Sequence, residues 1–319
     1  MTKRRGLLVL VAVLVLAAGV LLAYRAWDPG SIRGSFDVGN RSLYLECVGE
    51  GSPTIVMETG NGGDHTAWED VVPSVRDTNQ TCTYDRANLG ASDSAPTPRT
   101  SADVVEDLHG LLTVAGIPAP YVLVGHSFGG ISMRLYAATY PDEVAGLVLV
   151  DPTPTTFVDD ACAIVDATAC ESMGAEFDPS LNEGLDIVGS ADALLAAGPL
   201  PAVPLVVLVA DDHSQDAITD TGVLQRFETM WQGRQQELAT TVPEGRMELV
   251  ASGHNIHNLV PDVVAEAIRS VLSEARSTSL PGPRFFLASL FSSPEAGVDG
   301  SGFWTGRSGL HGRVEEVAR

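Results

Sequence analysis

The stretch Tyr121-Val122-Leu123-Val124-Gly125-His126-Ser127-Phe128-Gly129-Gly130 decides how this chain folds. Its first four residues form a short apolar run, which is typical of a strand buried on both faces of a parallel sheet. Apolar residues at helical spacing follow from Ile131 to Tyr140. Because the glycines between these two segments permit a sharp turn, the sequence predicts a strand, a tight turn that carries Ser127, and a helix.

Similar units occur on both sides of that turn. Strand-like runs are predicted at 42–48, 53–57, 81–84, 146–150, 203–209 and 247–250, and helices at 102–115, 131–140, 224–237 and 261–275. Alternation of buried strands with helices predicts an α/β fold with a doubly wound, mostly parallel sheet over residues 34–276. Residues 153–200 depart from this pattern and are interpreted as a short cap insertion over the ligand end of the sheet.

The composition is that of an ordinary globular protein, with 45% apolar and 19% charged residues in a chain of 319. These proportions exclude a fibrous or wholly disordered chain. The formal net charge is −22, whereas a protein that binds nucleic acid needs a basic face to neutralise phosphates, so we expect no nucleic-acid partner. The composition predicts no particular oligomeric state.

The two ends of the chain differ from the middle. Residues 6–23 form an apolar run behind a basic segment, 1–5, and a helix over the run would span about 27 Å, close to the hydrocarbon thickness of a bilayer. We expect an uncleaved membrane anchor, with a cleaved signal peptide as the alternative. In either case residues 1–5 would be cytoplasmic and the rest of the chain extracytoplasmic. Residues 277–319 lack periodicity and are predicted to form a flexible tail.

The four cysteines agree with an exported chain. An even number of cysteines in that setting suggests disulfides, for which three pairings are possible. Cys162 and Cys170 are close in sequence, and Cys47 and Cys82 each lie in a strand-like run, so we favour the pairs Cys162–Cys170 and Cys47–Cys82. A metal site is the alternative, but neither a Cys-x-x-Cys motif nor clustered histidines supports one.

Ser127 stands at the centre of a Gly-x-Ser-x-Gly motif whose glycines are Gly125 and Gly129. The bare pattern is weak, but between a buried strand and a helix it predicts a nucleophile elbow. This is a strained turn that projects the serine hydroxyl above the edge of the sheet. The N-terminus of the following helix would also stabilise negative charge that develops there.

From about residue 41 to residue 275 the chain resembles the α/β-hydrolase superfamily, in the form of a membrane-anchored bacterial serine hydrolase. Besides the elbow, three segments carry the resemblance: 85–93, which is similar to the family's D-R-x-G-x-G-x-S-D turn with Asn88 in place of a glycine; 141–151; and Ser252-Gly253-His254 followed by Pro261. The resemblance implies the α/β-hydrolase fold. It would also place Cys47 and Cys82 on neighbouring strands.

His254 is the candidate catalytic base. It follows the strand-like run 247–250 and completes the chain order Ser…Asp…His that this fold uses. A serine hydroxyl becomes a good nucleophile when an adjacent imidazole removes its proton. His257 is the nearby rival, and His126 is expected to shape the pocket. No role is assigned to the other histidines, His65, His109, His213 and His311.

The catalytic acid has three candidates. The strand-like run 203–209 ends in Ala210-Asp211-Asp212-His213, where the family usually has Gly-x-x-Asp. Asp212 is the first choice, although it lies one position short of the usual site, which His213 occupies. Asp211 is the second choice. Asp151, at the end of the preceding strand, is the third, because some family members place their acid there.

Two backbone N–H groups are expected to form an oxyanion hole. One belongs to Phe128, directly after the nucleophile. The other lies in the loop after the strand-like run 53–57, and Asn61 is its best candidate. The family commonly has His-Gly in this loop, where the present chain has Thr59-Gly60.

Together these residues predict a serine hydrolase that cleaves a small-molecule acyl ester through a covalent acyl-enzyme, as a carboxylesterase or lipase does. No metal and no organic cofactor is implied. An aminopeptidase or an acyltransferase could use the same triad. A non-catalytic binding protein with the hydrolase fold is the alternative from another class. The displaced acid and Thr59 favour the binding protein, whereas Ser127 and His254 oppose it.

Overall fold

Eight strands form a single sheet in the order β1-β2-β4-β3-β5-β6-β7-β8. Their bounds are β1 Ile32–Asp37, β2 Ser42–Val48, β3 Thr54–Glu58, β4 Thr81–Tyr84, β5 Tyr121–His126, β6 Val144–Val150, β7 Leu205–Ala210 and β8 Arg246–Val250. β2 is antiparallel to β1 and to β4, and every other pair is parallel. The predicted mostly parallel sheet is confirmed. Strand β1 was not anticipated, and it begins before the expected domain boundary at residue 34.

The computed structural model describes residues 31–279 apart from 177, 182, 215–217 and 219. The apolar run 6–23 lies outside the described residues, as does the predicted tail from residue 280 onward. Within the described part, every helix is too short or too polar to cross a bilayer.

Helices cover both faces of the sheet. They are α1 Val72–Val75, α2 Ser101–Val114, α3 Gly129–Thr139, α4 Phe157–Ile164, α5 Ala167–Glu176, α6 Ile187–Ala197, α7 Thr221–Ala239, α8 Ile256–Leu259 and α9 Pro261–Ser279. α2, α3, α6 and α7 pack in the core on one face, and α1, α8 and α9 in the core on the other. Residues 277–279, expected to begin the tail, are the last turn of α9.

Strand β5 shows why the central strands are continuous apolar runs. All of its residues are buried, since a strand covered by helices on both faces has no solvent side. Leu123 contributes to one core and its neighbours Val122 and Val124 to the other, as the alternation of side chains along a strand requires. Because β5, β6 and β7 run parallel, their carboxyl ends lie at one edge of the sheet, where the turns carrying Ser127 and Asp151 begin.

Both favoured disulfides are present. Cys47 and Cys82 are register partners on β2 and β4, and their bond closes a loop between residues 35 apart. Cys162 and Cys170 join α4 to α5, the first two of three helices between β6 and β7. One bond therefore links the second and third strands of the sheet, and the other links two helices of the segment that was interpreted as a cap.

Candidate active site

Ser127 sits in a strained turn between β5 and α3. Its φ is 50°, in the left-handed region that non-glycine residues rarely adopt and that costs about 1–3 kcal/mol. Its N–H donates to the carbonyl of Val150 at 3.1 Å, and its own carbonyl accepts from the N–H groups of Gly130 and Thr153 at 2.9 and 3.0 Å. These three bonds hold the backbone in the strained conformation, and the predicted elbow has the expected geometry.

The motif glycines are needed because backbones approach closely at the elbow. A Cβ added to Gly125 would lie 2.6 Å from the carbonyl oxygen of Gly129, and one added to Gly129 would lie 2.5 Å from that of Thr59. Real Cβ atoms do not come this close to backbone oxygens. The loop after β3 can therefore pack directly beneath the start of α3.

His254 lies in the turn after β8, and with Ser127 it lines one cavity. Its Nδ1 is 2.6 Å from Oδ2 of Asp151, with which it forms a hydrogen bond. An Nδ1–H that donates to a carboxylate leaves the lone pair on Nε2, the atom that a general base presents to a serine.

Asp151, directly after β6, is fully buried and accepts four hydrogen bonds. Its Oδ1 accepts from the N–H of Ala210 at 3.1 Å and from Nε1 of Trp231 at 2.7 Å. Its Oδ2 accepts from Nε2 of His213 at 2.9 Å as well as from Nδ1 of His254. Burial works against ionisation, but the hydrogen bonds from His213 and His254 outweigh it and hold the pKa of Asp151 well below its ordinary value. Asp151 is therefore a carboxylate.

The structure corrects the ranking of the acids. Asp212, the first choice, has an exposed side chain that accepts from the N–H of Ser214 at 2.9 Å. Asp211 is also exposed and accepts from the N–H of Ser252 at 3.1 Å. Asp151, the third choice, is the one that contacts His254.

The physical reason is the direction of the chain after β7. The N–H groups of Asp211 and Asp212 continue the ladder to β8 by donating to the carbonyls of Val250 and Ser252, at 3.0 and 3.2 Å. Both aspartates therefore stay at the edge of the sheet. The buried side chain that follows them is that of His213.

His213, which sequence reasoning left without a role, is a buried cation. Its Nε2 faces Asp151, and its Nδ1 is 3.0 Å from Oε2 of Glu228 on α7. A neutral imidazole has a single N–H, so only the imidazolium can donate to both carboxylates. Burial opposes the charge, but the hydrogen bonds to Asp151 and Glu228 outweigh it and raise the pKa of His213 to about 9. The sequence signal that could have found His213 is its position, which is where the family usually has the catalytic acid.

Trp231 on α7 was also missed, and sequence offers no signal for it, because Asp151 is 80 positions away. Its indole donates to Asp151, and its ring lines the active-site cavity. Trp231 therefore contributes both to the site's hydrogen bonds and to its apolar wall.

The active-site cavity has a volume of about 730 Å³. Ser127, His254, Phe128 and Asn61 all line it, so the four residues predicted for attack, proton transfer and the oxyanion hole are brought together. The rest of the wall is largely apolar, from α4, α5 and α7: Phe157, Ala161, Ile164, Ala169, Val223, Phe227 and Trp231. Polar residues also line it, among them Asp166, Ser172 and Asp220, so a cavity of this size suits a small ligand with both apolar and polar parts.

The loop that carries Asn61 is held by a buried ion-pair network. Arg86 pairs with Glu58 at the end of β3 and with Glu183, and it donates to the carbonyls of Thr59 and Gly60 at 2.8 and 2.7 Å. A Cβ on Gly60 would lie 3.2 Å from the Cβ of Ser127. The network thus positions the loop against the nucleophile.

His257 is not placed to act as the base. Its side chain is buried, and its ring packs on those of Trp68 and His126 with centroids 4.8 and 4.3 Å away. Burial, together with the neighbouring His254, lowers the pKa of His257 to about 4. It therefore stays neutral behind the site. His126 is also buried, and its Nε2 lies 3.2 Å from the carbonyl oxygen of His254.

Among the residues that the structure describes, two clusters have donor atoms close enough together to hold a metal ion: Asp151 with His213 and His254, and Asp85 with Asp64 and His65. In the first, both nitrogens of His213 and Nδ1 of His254 already donate to carboxylates. In the second, Asp85 accepts from two backbone N–H groups and from the His65 ring. These donor sets fit hydrogen bonding better than metal coordination.

A protein-family model described as the alpha/beta hydrolase fold matches residues 53–167. That range holds β3, the elbow with Ser127, and Asp151 after β6. This match and the order of the strands show that the chain has the α/β-hydrolase fold. The expectation drawn from the elbow and the accompanying motifs is confirmed.

Comparison with individual proteins extends the likeness beyond the matched range. The chain is 28% identical to the uncharacterized protein YqjL of Bacillus subtilis over 241 residues, which cover 73% of the present chain and 88% of YqjL. It is 35% identical over 134 residues to "Probable transporter efuK" of Hormonema carpetanum, a match that spans 39% of the chain and only 19% of efuK. A thermophilic esterase from Thermogutta terrifontis superposes with a TM-score of 0.53 at 21% identity, covering 76% of this chain and 99% of the esterase. At that identity the likeness establishes the fold.

Proposed function

We propose that this α/β-hydrolase is a serine hydrolase that cleaves acyl esters through a covalent acyl-enzyme. The observation that carries the proposal is the arrangement around His254. Its Nδ1 is held by the ionised Asp151, and it shares a cavity with Ser127, whose strained turn presents the hydroxyl there. A serine, an imidazole and a buried carboxylate in this order are the parts that nucleophilic acyl transfer requires.

In the proposed first half-reaction, Oγ of Ser127 attacks the ester carbonyl carbon while Nε2 of His254 takes the hydroxyl proton. The imidazolium that forms is stabilised by Asp151. The N–H groups of Phe128 and Asn61 donate to the oxyanion of the tetrahedral intermediate. When that intermediate collapses, the bond to the alcohol oxygen breaks and His254 returns the proton to the leaving alcohol.

In the second half-reaction, water attacks the acyl-enzyme while His254 takes its proton. The bond between the acyl carbon and Oγ of Ser127 breaks, and the proton passes from His254 to that oxygen. The products are a carboxylic acid and free Ser127. The apolar wall from α4, α5 and α7 favours an acyl or alcohol group of low polarity, as for a carboxylesterase or lipase.

We also propose that the catalytic domain works outside the cytoplasm and is anchored by residues 6–23. The support is the apolar run behind Lys3, Arg4 and Arg5 in the sequence and the presence of two disulfides. Disulfides persist in oxidising compartments.

The test uses the full chain in a non-ionic detergent with p-nitrophenyl esters of increasing acyl length, beside Ser127→Ala. Hydrolysis that falls by at least about 10⁴-fold in the variant supports the proposal, and the preferred chain length then measures the acyl pocket. A fluorophosphonate probe should label the wild type and not the variant. Labelling without hydrolysis of any ester would point to peptide or acyl-transfer substrates. A folded protein with neither activity nor labelling would be a binding protein.

A further inference from the structure

A second cavity of about 500 Å³ shares a wall with the active site. The segment that follows β6 borders both: Thr153 lines the active-site cavity, and Pro154, Thr155 and Thr156 line the second one. Much of the remaining wall is apolar and comes from α6, α7 and the loop after α6: Leu194, Leu195, Pro199, Leu200 and Leu238.

Arg134 on α3 contributes a buried charge to this wall. Its side chain is 6% exposed, its Nε donates to the carbonyl of Gly130 at 2.9 Å, and its Nη2 donates to that of Thr153 at 2.8 Å. Both partners are neutral. Burial alone lowers the pKa of Arg134 to about 10, so the guanidinium is still a cation at neutral pH.

The other buried arginines of the described part each have a carboxylate partner. Arg86 pairs with two glutamates, and Arg99 pairs with Asp107. Within the part of the chain that the structure describes, no carboxylate forms an ion pair with Arg134. Buried charges are normally compensated by an opposite charge. The charge of Arg134 therefore calls for an anion from outside the protein.

We propose that this cavity binds a carboxylate with an apolar tail, the head group on Arg134 and the tail against the leucines of α6 and α7. Two guanidinium nitrogens already donate to carbonyls, and Nη1 is engaged by neither of those bonds, so it can donate to a carboxylate oxygen. Guanidinium and carboxylate match in geometry as well as in charge.

A monoanion fits better than a phosphate dianion. The other arginine in the wall, Arg234, is already paired with Asp160 and Glu237, so of these two arginines it is Arg134 that has no carboxylate partner among the described residues. A single carboxylate balances its charge, whereas a second negative charge would remain unpaired in an apolar cavity, where unpaired charge is costly. This binding site does not depend on the proposed esterase activity.

The test is binding of 6-bromohexanoate to the full chain in a non-ionic detergent, measured by calorimetry, beside its uncharged twin 6-bromohexanamide. We expect the amide to bind at least about tenfold more weakly, because a hydrogen bond to a charged group is replaced by one to a neutral group. Arg134→Gln should weaken the carboxylate at least about tenfold, and Arg134→Lys, which keeps the charge, should weaken it less. Arg269→Gln is the control, since this exposed arginine also donates to a backbone carbonyl, that of Ser74, away from the cavity; it should leave the affinity within about twofold.

The anomalous signal of bromine in soaked crystals locates the probe. Bromine beside the leucines of the second cavity supports the proposal. Bromine in the active-site cavity alone, equal affinity for acid and amide, or no binding in solution would each overturn it. The comparison of acid with amide uses the wild type, so it tests the preference for a carboxylate even if Arg134→Gln does not fold.

Discussion

The turns after β6 and β7 lie side by side at one edge of the sheet, yet they carry opposite charges into the site. After β6, Asp151 is buried and ionised and reaches His254. After β7, where the superfamily usually has its acid, Asp211 and Asp212 stay at the surface and His213 enters as a cation. The comparison shows that the position of an acid in the chain does not decide its function. What decides it is which side chain the turn directs inward.

The positive charge that His213 introduces after β7 is compensated by a carboxylate on α7. Glu228 on α7 holds the second nitrogen of His213, so the charges of Asp151, His213 and Glu228 sum to one negative charge. His254 thus faces the same net charge that a single aspartate would provide. We interpret His213 and Glu228 as positioning residues that act on His254 through Asp151.

The largest expected effect tests which turn supplies the acid. Asp151→Asn should lower kcat/KM for the preferred ester by about 10³–10⁴-fold, because an amide neither fixes the tautomer of His254 nor stabilises its imidazolium. Asp212→Asn, the matched variant one strand away, should stay within about twofold of the wild type. Steady-state kinetics of both variants decides this. A large loss in Asp212→Asn with little in Asp151→Asn would restore the original ranking.

The charge of His213 should be visible as a dependence of stability on pH. Because its pKa is raised from 6.5 to about 9 in the folded protein, its contribution is fully present below pH 6.5 and is lost as the pH rises through 9. We expect this site to lower the free energy of unfolding by at most about 3 kcal/mol between those limits.

The measurement is urea unfolding at both pH values with the disulfides intact, for the wild type and for His213→Gln. The substitution should remove most of that pH dependence. The control is His109→Gln, a partly exposed histidine stacked on Tyr140 far from the site, which should retain it. An equal slope in wild type and His213→Gln would mean that His213 is neutral.

Substitution of His213 should also slow catalysis, with a smaller effect than substitution of Asp151. His213→Gln removes the imidazolium that donates to Oδ2 of Asp151, so the carboxylate is less firmly oriented towards His254. We expect kcat to fall about 10–100-fold, because a hydrogen bond to a charged group contributes about 1.5–3 kcal/mol, with KM within about twofold. A rise in KM at constant kcat would instead place His213 in substrate binding, since it also borders the cavity.

Glu228→Gln is expected to give the smallest change, because it acts through both His213 and Asp151. A glutamine can still accept from one nitrogen of His213 but no longer compensates its charge, so kcat should fall about three- to tenfold. Glu237→Gln on the same helix, an exposed residue that pairs with Arg234, is the control and should be unchanged. ¹⁵N NMR of the imidazole gives a second readout. Both ring nitrogens of His213 should be protonated at pH 7.5 in the wild type, and one should lose its proton in Glu228→Gln.

The errors of the sequence interpretation have two different origins. The resemblance placed Asp151 among the candidates but ranked it third, since the usual acid follows β7. Nothing in the spacing of Asp211, Asp212 and His213 indicates which side chain points inward. That direction follows from the backbone bonds that extend the β7–β8 ladder past the end of the strand. Strand β1 was missed for a different reason, because an edge strand with alternate exposed residues and Gly34 has a weak apolar pattern.

By itself, the sequence determined the alternation of strands and helices, Ser127 at the elbow, His254 after the last strand, and the favoured pairing of the cysteines. These features depend on local periodicity and on short motifs, which are visible in the sequence without knowledge of tertiary contacts. Only the tertiary structure decided that Asp151 is the partner of His254, 103 positions away, and that His213 bridges Asp151 and Glu228. It also left Arg134 as a buried charge that pairs with no carboxylate among the described residues. Charge state and pairing depend on which distant groups share a buried volume, and packing sets that.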